Sequence, residues 1–155
     1  MKKIIQKELL AYCGIYCADC LGNSGVIANA ADEFKKVLDD YKFVKTVKAF
    51  GFKELEEYDK FYKMLGFMTG LKCPFICRTM EDSKTDCKIR KCCINKGFYA
   101  CYECEDLEDC SKLQSSMGEL HTESCRKNLK AIKEMGLDNW LKSGKRVMYW
   151  GEIED

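Results

Sequence analysis

The densest chemistry in the chain lies between Cys87 and Cys110. There CKIRKCCINKGFYACYECEDLEDC places six of the twelve cysteines within 24 residues. Neither helical nor strand periodicity calls for cysteine at that density, so the stretch reads as a metal-organised knot. Cys101 and Cys104 form a C-x2-C pair in GFYACYEC. Two intervening residues let both sulfurs converge on one ion at about 2.3 Å, the length of a zinc–thiolate bond. The acids Glu103, Glu105, Asp106, Glu108 and Asp109 oppose thiolate charge here. A metal, with the basic shoulder Lys88–Lys91, offsets that repulsion.

The other candidates are spread along the chain. Cys13, Cys17 and Cys20 have the spacing C-x3-C-x2-C, Cys73 and Cys77 follow a helical middle, and Cys87, Cys92 and Cys110 flank the C-x2-C pair. A structural zinc needs four thiolate or imidazole ligands, and close cysteine pairs pre-assemble half of such a site. His121 is the only histidine, so any site is built almost wholly of sulfur. That donor set suits zinc or an iron–sulfur cluster, zinc being preferred, and argues against magnesium or calcium. The predicted metal ligands are Cys13, Cys17, Cys20, Cys73, Cys77, Cys87, Cys92, Cys101, Cys104 and Cys110. Cys93 and Cys125 read as small buried hydrophobes, and His121 as a cap or a solvated side chain.

Enzyme readings are not favoured. C-x3-C-x2-C is also the cluster loop of radical S-adenosylmethionine enzymes, but no strand–helix alternation follows Cys20. Cys101-x2-Cys104 lacks the βαβ surroundings of a thioredoxin-like redox motif. The sequence has no glycine-rich phosphate loop and no H-E-x-x-H. No catalytic residue is assigned.

The elements that must position these thiols are mostly helical. Apolar residues recur at helical spacing over about 27–47, through Ile27, Ala30, Ala31, Phe34, Val37, Leu38, Tyr41 and Val44. They recur again over about 54–65, through Leu55, Tyr58, Phe61, Tyr62 and Leu65, with a stop near Gly66. Leu107, Leu113 and Met117 fit a short helix stopped at Gly118. Leu129, Ile132 and Met135 mark a last long helix over 122–135, and GLDNWL a further helical turn. MEDSKTD reads as a surface loop, and RVMYW as a strand or ordered tail.

With 155 residues the chain has the length of one domain. Lys plus Arg total 26 and Asp plus Glu 25, so no overall field draws it to nucleic acid or lipid. No run approaches 18 apolar residues and no signal peptide is read, so a cytoplasmic location is expected. In a reducing compartment cysteines serve metal more readily than disulfides.

YCGIYCADC, a later cysteine pair, and CKIRKCCINKGFYACYECEDLEDCSKL together resemble a prokaryotic family of small cysteine-rich proteins, catalogued as domain of unknown function 3795. The resemblance covers about residues 10–140. It carries the family's recurrent cysteines onto Cys13, Cys17, Cys20, Cys87, Cys92, Cys101, Cys104 and Cys110. The family's Cys-x-Gly-Cys is widened to Cys73-Pro-Phe-Ile-Cys77 here, and its Pro-Cys is Asp109-Cys110. The resemblance implies a metal-binding fold and no particular activity.

The expectation is a mostly α, small single domain over 1–155, with about three or four helices around cysteine-rich metal-binding loops and a tail or strand at 145–155. Its expected function is structural zinc binding in an interaction or regulatory module with a protein partner. An iron–sulfur redox protein is one alternative. A nucleic-acid-binding module is the other, supported by Lys127, Lys130, Lys133, Lys142, Lys145 and Arg146 and opposed by the acidic run 103–109. No membrane association is expected.

Overall fold

The computed structural model describes residues 6–73, 76–79 and 86–153, with the backbone alone described at 116–120. MEDSKTD falls almost entirely outside these residues. The chain divides into two compact units, Leu21–Pro74 and the remainder, Met1–Cys20 with Phe75–Asp155.

The Leu21–Pro74 unit holds α1 (Leu21–Ser24), α2 (Val26–Asp40), α3 (Phe43–Phe50) and α4 (Tyr58–Met68). The sequence predicts one helix across 27–47, but α2 and α3 are separate. Lys42 takes a left-handed conformation (φ 50) and turns the chain with no glycine or proline to announce it. Ala31, Leu38 and Leu65 are buried together, and Phe43, Tyr62 and Met68 pack against them. Tyr58 stacks on Tyr62 and tilts against Phe43 and Phe61. Tyr62 donates to Asp39, which also pairs with Lys35 at 2.7 Å, so a polar clamp joins α2 to α4.

The other unit carries eleven of the cysteines. It contains α5 (Lys88–Lys96), α6 (Ser111–Met135), α7 (Leu137–Ser143), and an antiparallel pair, β1 (Arg146–Met148) and β2 (Gly151–Ile153). One-turn 3-10 helices at Gln6–Leu9, Cys101–Glu103 and Glu105–Leu107 link these elements. The sequence predicts a break at Gly118, but α6 runs through it unbroken. Interior glycine costs a helix only about 1 kcal/mol relative to alanine. Leu113, Leu129 and Ile132, all buried on α6, outweigh that by packing into the core with Leu10, Ile89 and Trp140.

Asn128 fastens this unit internally. It is buried, its Nδ2 donates to the carbonyls of Gly14 (3.1 Å) and Val147 (2.8 Å), and its Oδ1 accepts the Val147 N–H. Arg146 forks onto Asp19 at 2.5 and 3.3 Å, both side chains largely buried.

The predicted fold class is therefore corrected. The described residues hold seven α-helices and four 3-10 turns, not three or four helices. Metal-binding loops are also corrected: among the described residues no three histidine, cysteine, aspartate or glutamate side chains are grouped so as to hold an ion. Lys42 splits one expected helix and packing fuses two others. Much of the cysteine-rich stretch is itself helical, because α5 and the two 3-10 turns occupy what reads in sequence as loop.

Candidate functional site

None of the twelve cysteines forms a disulfide among the described residues. The structure gathers those of the 87–110 stretch mainly by stacking α5 on the start of α6. Cys87 is the N-cap of α5, and Cys92 and Cys93 lie in its second turn. Gly97 ends α5 in a left-handed conformation, and the chain returns through the Cys101–Glu103 turn. Cys104 sits between the two 3-10 turns, and Cys110 is the N-cap of α6.

The result is a cavity of about 20 Å³ lined by Cys92, Cys93, Cys101, Cys104 and Cys110, with Ile89, Phe98 and Leu107 completing its apolar wall. That volume is close to the space one water needs. Cys93 and Cys101 touch sulfur to sulfur at 3.5 Å. Either thiol can donate in this contact. This contact first, and then burial, pushes Cys101 up, while the same contact pulls Cys93 below the usual thiol range. Two ammonium groups reach the other sulfurs, Lys112 Nζ to Cys92 at 3.5 Å and Lys96 Nζ to Cys104 at 3.7 Å.

A second set lies around the turn Leu9–Cys17. Leu10 bridges Tyr16, the Ala11 N–H donates to the Ile15 carbonyl at 2.8 Å, and the Cys17 N–H to the Leu9 carbonyl at 2.7 Å. Cys13 meets the Cys125 thiol, and that contact together with burial raises it well above the ordinary value. Burial pushes the Cys17 thiol up to about 11, although its sulfur accepts a hydrogen bond from the Cys77 backbone. Cys77 is also raised, first by burial, with Cys13 and Cys87 among its charged-form neighbours. Cys20 is half-buried beside Cys17. Cys73 is exposed and belongs to the Leu21–Pro74 unit.

Two residues shape this region in ways the sequence did not signal, although Cys93 is buried as its reading as a small hydrophobe expected. Cys93, read as core, is buried but turns its sulfur onto Cys101 and the cavity. Its only sequence signal was adjacency to Cys92. Arg78 had none. Its guanidinium donates to the Leu10 carbonyl (2.7 Å) and the Tyr99 carbonyl (2.6 Å), and lies 4.5 Å from the Tyr12 ring centre and 3.7 Å from that of Tyr99. It therefore joins the Leu9–Cys17 turn to the segment that leads into Cys101. Arg78→Ala should cost about 3 kcal/mol in urea unfolding, from two charge-assisted hydrogen bonds and the ring contacts. Arg78→Lys should recover little of it, because an ammonium cannot make the fork. An alanine variant with the native midpoint would remove Arg78 from this role.

These features define a helical, cysteine-rich protein with eleven of its twelve cysteines in one unit. The chain belongs to the DUF3795 family, described as a protein of unknown function, which it matches over residues 9–115. No curated protein and no solved structure matches the chain. Among the described residues no helix is long and apolar enough to cross a membrane.

Proposed function

We propose that the cavity between α5 and the start of α6 is a structural zinc centre held by Cys92, Cys101, Cys104 and Cys110. The carrying observation is that these thiols, brought from separate elements, line one cavity of about 20 Å³. Four thiolates are the donor set of a closed zinc site. Lys96 and Lys112, resting on Cys104 and Cys92, offset part of the charge such a site accumulates. The four thiols are not grouped to hold an ion as they stand, so binding would require their side chains to rotate until the sulfurs converge on it. The cavity size favours a single ion over an iron–sulfur cube, which is several-fold larger. Cys93 stands beside the site as a fifth thiol and is not one of its ligands.

Zinc here would tie α5, the Cys101–Glu103 turn and the N-terminus of α6 together, a structural role suited to an interaction or regulatory module with a protein partner. The nucleic-acid reading gains less support. Lys127 pairs with Glu123 and Lys130 with Glu108, each at 2.9 Å, so two of the expected phosphate contacts already face acids.

Native mass spectrometry of anaerobically purified protein should give one zinc per chain at this centre, and absorption at the zinc edge should report four sulfur neighbours at about 2.3 Å. Iron with sulfide, or a chain that takes up no metal at all, would overturn the proposal.

A further inference from the structure

The fifth thiol has a chemistry of its own. Cys93 is buried at 2% exposure and its sulfur lies 3.5 Å from that of Cys101. A disulfide is about 2.05 Å long, so the two sulfurs need approach by only about 1.5 Å. Both sulfurs also line the same water-sized cavity, which gives a small reagent somewhere to stand. Cys13 and Cys125 touch too, but neither lines that cavity.

We propose that Cys93 and Cys101 form an oxidation site for small hydroperoxides, closing to a disulfide that competes with zinc for Cys101. The O–O bond of the peroxide breaks as one oxygen passes to the sulfur of Cys93, giving a sulfenic acid. The rest of the reagent leaves as water or an alcohol. The Cys101 sulfur then displaces hydroxide, which takes up the thiol proton and leaves as water, and the S–S bond forms. Two thiols lose two electrons in all, and the peroxide gains them. Zinc and the disulfide exclude each other, because Cys101 serves one or the other. The disulfide itself stands on the thiol contact, whereas its competition with metal rests on the zinc reading. A cavity of this size admits hydrogen peroxide and shuts out bulky disulfides such as oxidised glutathione.

The full chain as purified should be treated with hydrogen peroxide, with and without added zinc, then alkylated and digested with trypsin. Peptides 92–96 and 97–112 should appear linked, with fragment ions placing the bridge at Cys93–Cys101. Added zinc should lower the yield roughly ten-fold by occupying Cys101. After oxidation the wild type should refuse zinc until it is reduced. Cys93→Ala should bind zinc normally and still take it up after peroxide treatment. Bridge formation unaffected by zinc would uphold the oxidation site and overturn the zinc reading. Metal-free protein in which Cys93 remains alkylatable after peroxide treatment, or in which Cys101 bridges Cys104 instead, would overturn the oxidation site and leave the zinc reading standing.

Discussion

Gly14→Ala should destabilise the cysteine-rich unit by about 3–5 kcal/mol, a large part of the roughly 5–15 kcal/mol by which domains are stable. Gly14 has φ +95, and a methyl group on it would lie 2.7 Å from Leu129 Cγ and 2.8 Å from the Cys125 carbonyl oxygen. Leu129 is completely buried, and the Cys125 carbonyl belongs to the backbone of α6, so neither can move aside. The backbone conformation alone accounts for about 1–2 kcal/mol of the cost, and overpacking for the remainder. Gly97→Ala separates the two contributions. Gly97 also has positive φ (+69), but nothing lies within 4 Å of its added carbon, so it should cost only the conformational part. Urea unfolding of both variants provides the test. Equal losses would show that the Leu9–Cys17 turn yields, and that its contact with α6 is loose.

That contact illustrates what was legible in the sequence and what was not. YCGIYC showed a glycine between two cysteines, which suggests backbone freedom. It gave no sign that the glycine is needed because α6, more than a hundred residues later, passes so close. Helical stripes were readable wherever one face is apolar, and α2, α4 and the end of α6 fall largely where those stripes lie. Boundaries set by tertiary contact were not readable. Lys42 takes a conformation usually left to glycine, and Gly118 sits where a helix stop was expected but is carried through by the packing of α6.

The site divides in the same way. Spacing paired Cys101 with Cys104 but left open which of the ten candidate cysteines share a site; Cys92, Cys101, Cys104 and Cys110 line one cavity because a nine-residue helix and two tight turns leave them little room to separate. Local spacing could not say which face of α5 looks inward. Cys92 and Cys93 are neighbours, and both line the cavity. Lys96 lies one helical turn beyond Cys92 and Lys112 lies two residues beyond Cys110, yet as lysines in a chain one-third charged they were indistinguishable from solvated surface.

Removing the Cys104 sulfur should have the largest effect of all. At the proposed zinc centre, Cys104→Ser replaces a sulfur ligand with a hydroxyl that ionises far less readily and binds zinc weakly, leaving three sulfurs where a closed zinc site takes four. Structural zinc contributes about 10–16 kcal/mol of apparent binding energy to folding in small domains, so even partial loss should exceed any packing change in this chain. The variant should purify with little zinc and unfold at far lower urea, and a chelator should do the same to the wild type. The effect should be confined to one unit. Leu21–Pro74 contains Cys73 alone among the cysteines and buries its own cluster around Ala31, Leu38 and Leu65, so part of the helical circular dichroism should survive. Cys93→Ala provides the contrast, with full zinc content and a small stability change, because Cys93 contributes a contact and no ligand. Full zinc with a native midpoint in Cys104→Ser would move any metal to the thiols around Cys17 and Cys77. Cys17 would then have to lose its proton against the burial that now pushes it up to about 11.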